Sequence, residues 1–150
     1  MASLEEVKQY LSTDTGLAVI STTQRDGRVL SSLVNCGVIA HPVSGEARVA
    51  MVSGGKAARL DHVRRGSEVT VAVTRGWNWV GVTGPAELIG PADQAAEVDA
   101  DATRLLIREI FTAAGGTHDN FDEFDKAMAE DGRTAVLITP DRIIGNSPAA

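Results

Sequence analysis

The chain has 150 residues and a net charge of −6, with 43% hydrophobic and 23% charged residues. That balance excludes a general nucleic-acid binder, which needs a surplus of Lys and Arg to neutralise phosphates. No stretch reaches the ~20 apolar residues of a membrane-spanning helix. One domain with a sizeable core is expected at this length. The single cysteine, Cys36, rules out an internal disulfide. It sits in the apolar run Leu33-Val34-Asn35-Cys36-Gly37-Val38-Ile39, which points to a buried, inert thiol. The first ten residues carry two glutamates and no basic, apolar leader pattern, so a cytoplasmic protein is expected.

Ser3 and Glu6 form a capping box, and Leu4, Val7 and Leu11 recur at helical spacing, so residues 3–12 read as a short amphipathic helix. The period then changes. Residues 17–22 form a β-branched run, and Asp26-Gly27 is a hairpin signal leading into a strand over 28–39. A Pro-Gly break at 42–45 precedes a strand over 47–52. Residues 69–73 alternate, and 77–89 read as one long strand interrupted by Gly81 and Gly84, as happens at bulges or close backbone approaches. A short helix lies between, at about 56–65. Asp93 is placed to cap a helix running to about Ala114, where Gly115-Gly116 stops it. Asp119 is placed to cap another, with Phe121, Phe124 and Met128 on one face. The chain closes with strands at 134–139 and near Ile143-Ile144. Fifteen glycines and this order predict a mainly β (α+β) chain of about six to seven strands decorated by four to five helices, and not a βαβ array.

The chemistry concentrates in Ser53-Gly54-Gly55-Lys56-Ala57-Ala58-Arg59-Leu60-Asp61-His62-Val63-Arg64-Arg65. Two glycines end a strand and open a helix, so backbone N–H groups can approach a ligand there. A helix start favours carboxylates, because the dipole is positive at that end. Lys56 and Arg59 occupy it instead, three residues apart, with Leu60 and Val63 on the opposite face. A bound phosphate or carboxylate would resolve that conflict; a solvated basic face is the alternative. His41, His62 and His118 lack metal-ligand spacing. The Asp119–Glu123 carboxylates flank phenylalanines of an amphipathic helix, and no dinucleotide, P-loop or nucleophile-elbow motif occurs. Trp77 and Trp79 alternate along the expected strand and share a face, where they could wall a planar ligand or serve as core or dimer contacts.

Taken in order, Asp26-Gly27-Arg28, Ser31-Ser32-Leu33-Val34, the cationic helix 59–65, Gly76-Trp77-Asn78-Trp79-Val80, Gly84-Pro85-Ala86-Glu87-Leu88, the helix 120–128 and Val136-Leu137-Ile138-Thr139-Pro140 carry a resemblance. The chain resembles the F420-dependent branch of the pyridoxamine 5′-phosphate oxidase-like, FMN-binding split β-barrels, with Greek-key topology, from Leu17 to Gly145. The resemblance implies a homodimer with cofactor sites at the interface. It implies that Arg59, helped by Lys56, holds the cofactor phosphate, and that Ser32, Asn35, Val52 and Ser53 face the tricyclic ring. It places Trp79 in the pocket, from one subunit or the other. F420 is the implied cofactor and FMN the alternative, since the side-by-side basic pair common in the oxidases is replaced by Ala58-Arg59 with Lys56. The expected activity is hydride transfer from reduced deazaflavin to a small conjugated acceptor. A non-catalytic F420 carrier is the rival, because no acid–base constellation is visible.

Overall fold

The computed structural model describes residues 2–13 and 16–146. Its elements follow as α1 (Leu4–Leu11), β1 (Leu17–Thr23), β2 (Val29–Asn35), β3 (Gly37–Ala40), β4 (Ala47–Ser53), α2 (Ala58–Arg64), β5 (Val69–Arg75), β6 (Asn78–Gly84), β7 (Ala86–Ile89), α3 (Ala100–Ala113), α4 (Phe121–Glu130), β8 (Thr134–Ile138) and β9 (Arg142–Gly145). The strands form two antiparallel sheets, of order β2-β1-β5-β6-β9 and β3-β4-β8-β7.

Period-two burial shapes the first sheet. In β1, Ala18, Ile20 and Thr22 are buried while Leu17, Val19 and Thr23 face out, the signature of a strand with one face on a core. The second sheet differs. β8 is buried at every position, because Val136 and Ile138 enter the barrel while Ala135 and Leu137 pack beneath α3. A strand covered on both faces reads as a continuous apolar run, and residues 135–138 do so.

Two cores result. Inside the barrel, Ile20, Val71 and Val82 of the first sheet meet Val49, Met51 and Val136 of the second. Val7, Tyr10 and Leu11 of α1 and Leu60 and Val63 of α2 join them. Outside, Ile39, Ala50 and Leu137 pack on Leu106 and Ile110 of α3. Among the described residues no helix covers the outer face of the first sheet.

Two long apolar runs prove to be two strands each, so the described residues form nine strands, not six to seven. The run 28–39 changes sheet at Cys36, whose amide donates to the Gly16 carbonyl at 2.8 Å. The run 77–89 changes sheet at Gly84-Pro85, beside the passage from β8 to β9. There a Cβ on Gly84 would lie 1.8 Å from the Thr139 carbonyl oxygen, so the close approach expected of an interior glycine holds at Gly84. It does not hold at Gly81, where nothing lies nearer than 3.8 Å.

Four helices form. The third begins later than Asp93: residues 90–98 make turns and short bridges, and Asp99 caps α3 through the Ala102 amide. Asp93 is drawn away by Arg64, which donates to both its oxygens at 3.0 and 2.6 Å. Asn120, not Asp119, caps α4.

Asp125 of α4 ties α4 to α3. It accepts from Arg104 Nη1 at 3.0 Å and Arg108 Nε at 2.9 Å, with a further close contact from Arg108 Nη2. The Arg108 bonds, then those of Arg104, hold its carboxyl below the usual range against the cost of desolvation. Its stabilising contribution is therefore full above the ordinary carboxylate pKa of ~3.9 and is lost as pH falls toward the lowered value. Asp125→Asn is expected to lower stability near neutrality and to flatten the acid limb of the melting profile below about pH 4. Thermal melts across that range check it; a variant as acid-sensitive as the parent would remove the tie from the account.

Candidate cofactor-binding site

Arg59 connects the two sheets. Its Nη1 donates to Ser53 Oγ at the end of β4, and its Nη2 to Ser32 Oγ in the middle of β2, both at 2.9 Å. β2 is the edge of one sheet and β4 an inner strand of the other, so a half-buried guanidinium spans the seam between them. Among the described residues Arg59 makes no ion pair. Burial pulls its guanidinium below the ordinary value; the Cys36 sulfur opposes this and the like charge of Arg133 adds to it. A guanidinium stays cationic regardless, and of its five N–H donors only two are used by the serines.

Arg59 faces a cavity of about 600 Å³. Leu33, Val34 and Asn35 of β2, Val52 of β4, Phe111 of α3 and Phe124 and Met128 of α4 supply most of its wall. Among the described residues the charged members of the lining are Arg59 and Arg133, the latter paired with Asp131, and none is a carboxylate. In a chain of net charge −6, that is a local cationic site with apolar walls, suited to a planar ligand carrying an anionic group. A larger cavity, about 900 Å³, lies between residues 90–100, α3 and α4. Its arginines are already paired, Arg104 with Asp101 and Asp125, and Arg133 with Asp131. The smaller cavity is therefore the candidate site. The two share Met128 and Arg133.

Of the residues singled out from the sequence, Asn35, Val52 and Arg59 line this cavity, with Ser32 and Ser53 bound to Arg59. Ser53 is 1% exposed. Lys56 is not brought in. α2 starts at Ala58, so Lys56 falls one residue before the Ala57 cap, exposed and outside the lining. Of the two glycines, Gly54 lines the cavity, while Gly55 has a different role from the one expected. The Gly55 amide donates to the Asp131 carbonyl at 3.2 Å, and a Cβ on Gly55 would sit 2.5 Å from the Gly132 oxygen. Gly55 lets the end of β4 pack on the turn before β8. Trp77 and Trp79 do not share a strand face: Trp77 is in the β5–β6 turn and 92% exposed, and Trp79 lies within β6, outside the lining.

Sequence reasoning missed Arg133, Phe111 and Phe124 as lining residues. A cation directly ahead of the apolar run 134–138, after Gly132, was the available signal for Arg133. His62 is buried and bonded through Nδ1 to Thr22 Oγ1 at 2.9 Å, and His41 through Nε2 to Glu87 at 2.8 Å. Cys36 is fully buried, and burial raises its thiol to about 12, partly offset by the Arg59 charge.

Two antiparallel sheets curled on one core, with helices against the smaller sheet and a cavity at the β2–β4 seam, define a split β-barrel of the pyridoxamine-phosphate-oxidase type. Solved structures share it across nearly the whole chain. A conserved hypothetical protein of Mycobacterium tuberculosis matches with a TM-score of 0.69 at 17% identity, over 97% of this chain and 84% of that one. A putative pyridoxamine 5′-phosphate oxidase of Lactobacillus delbrueckii matches at 0.59 and 15%, over 95% and 93%. An F420 reductase matches at 0.59 and 13%, over 87% and 90%. These likenesses establish the fold. No family model and no curated protein matches the chain. Among the described residues no helix is long and apolar enough to cross a membrane.

Proposed function

We propose that this chain is an oxidoreductase that binds a phosphate-bearing deazaflavin or flavin in the β2–β4 cavity, with F420 the first choice and FMN the alternative. One observation carries the reading: Arg59, held between Ser32 and Ser53, presents its unused donors to a cavity whose lining, among the described residues, contains arginine and no carboxylate. That donor set fits a phosphate group, because charge-assisted hydrogen bonds from a guanidinium match its geometry. When bound, reduced F420 would supply the hydride. Arg59 would anchor the phosphate, and Val34, Val52, Phe111 and Met128 would exclude water around the ring. The likeness to an F420 reductase supports this choice, and the likeness to a putative pyridoxamine 5′-phosphate oxidase supports the alternative.

A second copy of the chain is the proposed partner. The bare face of the first sheet presents Leu17, Val19, Val29, Leu33, Trp79 and Ile144, each 37–64% exposed. The register places them on one side, and a monomer rarely leaves so broad an apolar face to water. Leu33 belongs both to that face and to the cavity lining, so a partner seated there would close the site.

The non-catalytic carrier reading also has an observation in its favour, since no Asp, Glu, His or Tyr among the described residues lines the cavity to donate a proton. Titration of the purified protein with F420 and with FMN, followed by fluorescence quenching and sedimentation, separates these readings. The expected result is a dimer that binds F420 more tightly than FMN and speeds oxidation of the reduced form by an electron-poor C=C or C=N compound. Tight binding without turnover by any such acceptor would favour the carrier, and preferential FMN binding would overturn the F420 choice.

A further inference from the structure

Residues 90–98 belong to no helix and to neither sheet, yet they are fixed along their length. Gly90 and Asp93 exchange backbone hydrogen bonds at 3.1 Å, closing one tight turn. The Val98 amide donates to the Ala95 carbonyl at 3.1 Å, closing a second. Arg64 of α2 grips the first turn through both oxygens of Asp93. Val98 anchors the other, buried in the cluster that holds Leu106 and Ile110 of α3. A Cβ on Gly90 would lie 2.6 Å from Thr134 Oγ1, so the backbone there rests on β8. Surface connections are ordinarily the looser parts of a fold. This one is a built wall.

It walls the larger cavity, of about 900 Å³, whose other sides are α3 and α4. That volume falls in the range of sites for drug-sized ligands. Its charges cancel: Arg104 and Arg133 are matched in the lining by Asp99 and Asp125. Each is also engaged. Arg104 pairs with Asp101 and Asp125, Arg133 pairs with Asp131, and Asp99 accepts from the Ala102 amide as the cap of α3. A charged ligand would have to compete with these partners and meet a like charge beside them. Ala95, Val98, Ile107 and Met128 supply apolar surface. The Gln94 carboxamide offers a neutral donor and acceptor there. The Thr103 hydroxyl donates to the Asp99 carbonyl at 2.9 Å, which leaves its oxygen free to accept.

We propose that this cavity is a second small-molecule site, taking a neutral, largely apolar organic ligand that carries a hydrogen-bonding group. Its chemistry is the opposite of the cationic cavity at the β2–β4 seam. The two cavities meet at Met128 and Arg133, but the second site does not depend on which cofactor the first one holds.

The test uses prodan, a neutral naphthyl ketone whose fluorescence rises in apolar surroundings, beside an anionic anilinonaphthalene sulfonate. Ala96→Trp and Ala129→Trp place an indole at two exposed positions that line the larger cavity and not the smaller one. Exposure at both positions should leave the fold intact, and thermal melts matching the parent check that. The expected result is saturable binding of prodan that each variant weakens at least about tenfold, because the indole takes space where apolar ligand surface would be buried. The sulfonate, F420 and FMN should bind the variants as they bind the parent. Absence of saturable prodan binding overturns the proposal. So does prodan binding that both variants leave unchanged, which would put the dye elsewhere, as on the bare face of the first sheet. If prodan behaves as expected while the parent binds neither F420 nor FMN, this site stands and the cofactor reading falls. If Ala129→Trp loses F420 or FMN and keeps prodan, the cofactor lies in the larger cavity, and both this proposal and the β2–β4 assignment fall.

Discussion

Arg59→Ala is expected to weaken binding of F420 or FMN by about 1.5–3 kcal/mol for each charge-assisted bond lost, which is roughly ten- to a hundredfold or more. The fold should survive the change, because α2 is held by Leu60 and Val63, not by Arg59. Truncation would also leave Ser32 and Ser53 without their donor. Ser53 is buried but retains a hydrogen bond to the Gly54 carbonyl at 3.3 Å, so its cost is small. Lys56→Ala is the internal control. That side chain is solvent-exposed and off the cavity, so its loss should cost about 0.5 kcal/mol or less. Fluorescence-quenching titrations of both variants check the pair. Unchanged affinity in Arg59→Ala would overturn the site, and an equal loss in both would return the anion to the turn before α2.

The largest stability effect is expected at Gly84. A methyl group there would meet the Thr139 carbonyl oxygen at 1.8 Å and the Asp141 nitrogen at 3.3 Å. Both are backbone atoms at the place where two neighbouring segments pass from one sheet to the other. Neither can swing aside as a side chain would, and the Thr139 amide is already bonded to the Pro85 carbonyl at 2.9 Å. Gly84→Ala should therefore cost at least about 3 kcal/mol, at the upper end of overpacking effects, a melting shift of roughly 6–12 °C at this chain length. Gly81→Ala, in the same strand with its nearest neighbour at 3.8 Å, should stay within about 1 kcal/mol. Similar melting temperatures for the two would show that this corner is not closed as described.

Much of the fold could be read from residue order where local chemistry governs it. The Ser3 cap, the Asp26-Gly27 turn and the alternation in 69–73 each carry their own short-range signal, and each forms as expected. Arg59 was also legible, as a cation at a helix start. What was not legible depends on partners far away in the chain. Asp93 looks like a helix cap until Arg64 takes it, twenty-nine residues earlier. Gly55 suggests a ligand until the 131–132 turn is seen against it. The runs 28–39 and 77–89 look continuous because the apolar pattern persists across a change of sheet. Trp77 seems to alternate with Trp79, but a hairpin turn intervenes, and turn residues lose the strand's two-sided periodicity. Arg133 offered only its place between Gly132 and the apolar run 134–138, which says nothing of the cavity. It becomes visible only through the pairing of β4 with β8.

Ser32 and Ser53 have one more consequence, which concerns entropy. A free arginine side chain explores many rotamers, and immobilising it on ligand binding typically costs about 1–2 kcal/mol. Here two hydroxyls, one from each sheet, already hold the Arg59 guanidinium in a single orientation. That ordering cost is met when the chain folds, so an arriving anion finds donors that are already aimed, and more of the interaction energy appears as affinity.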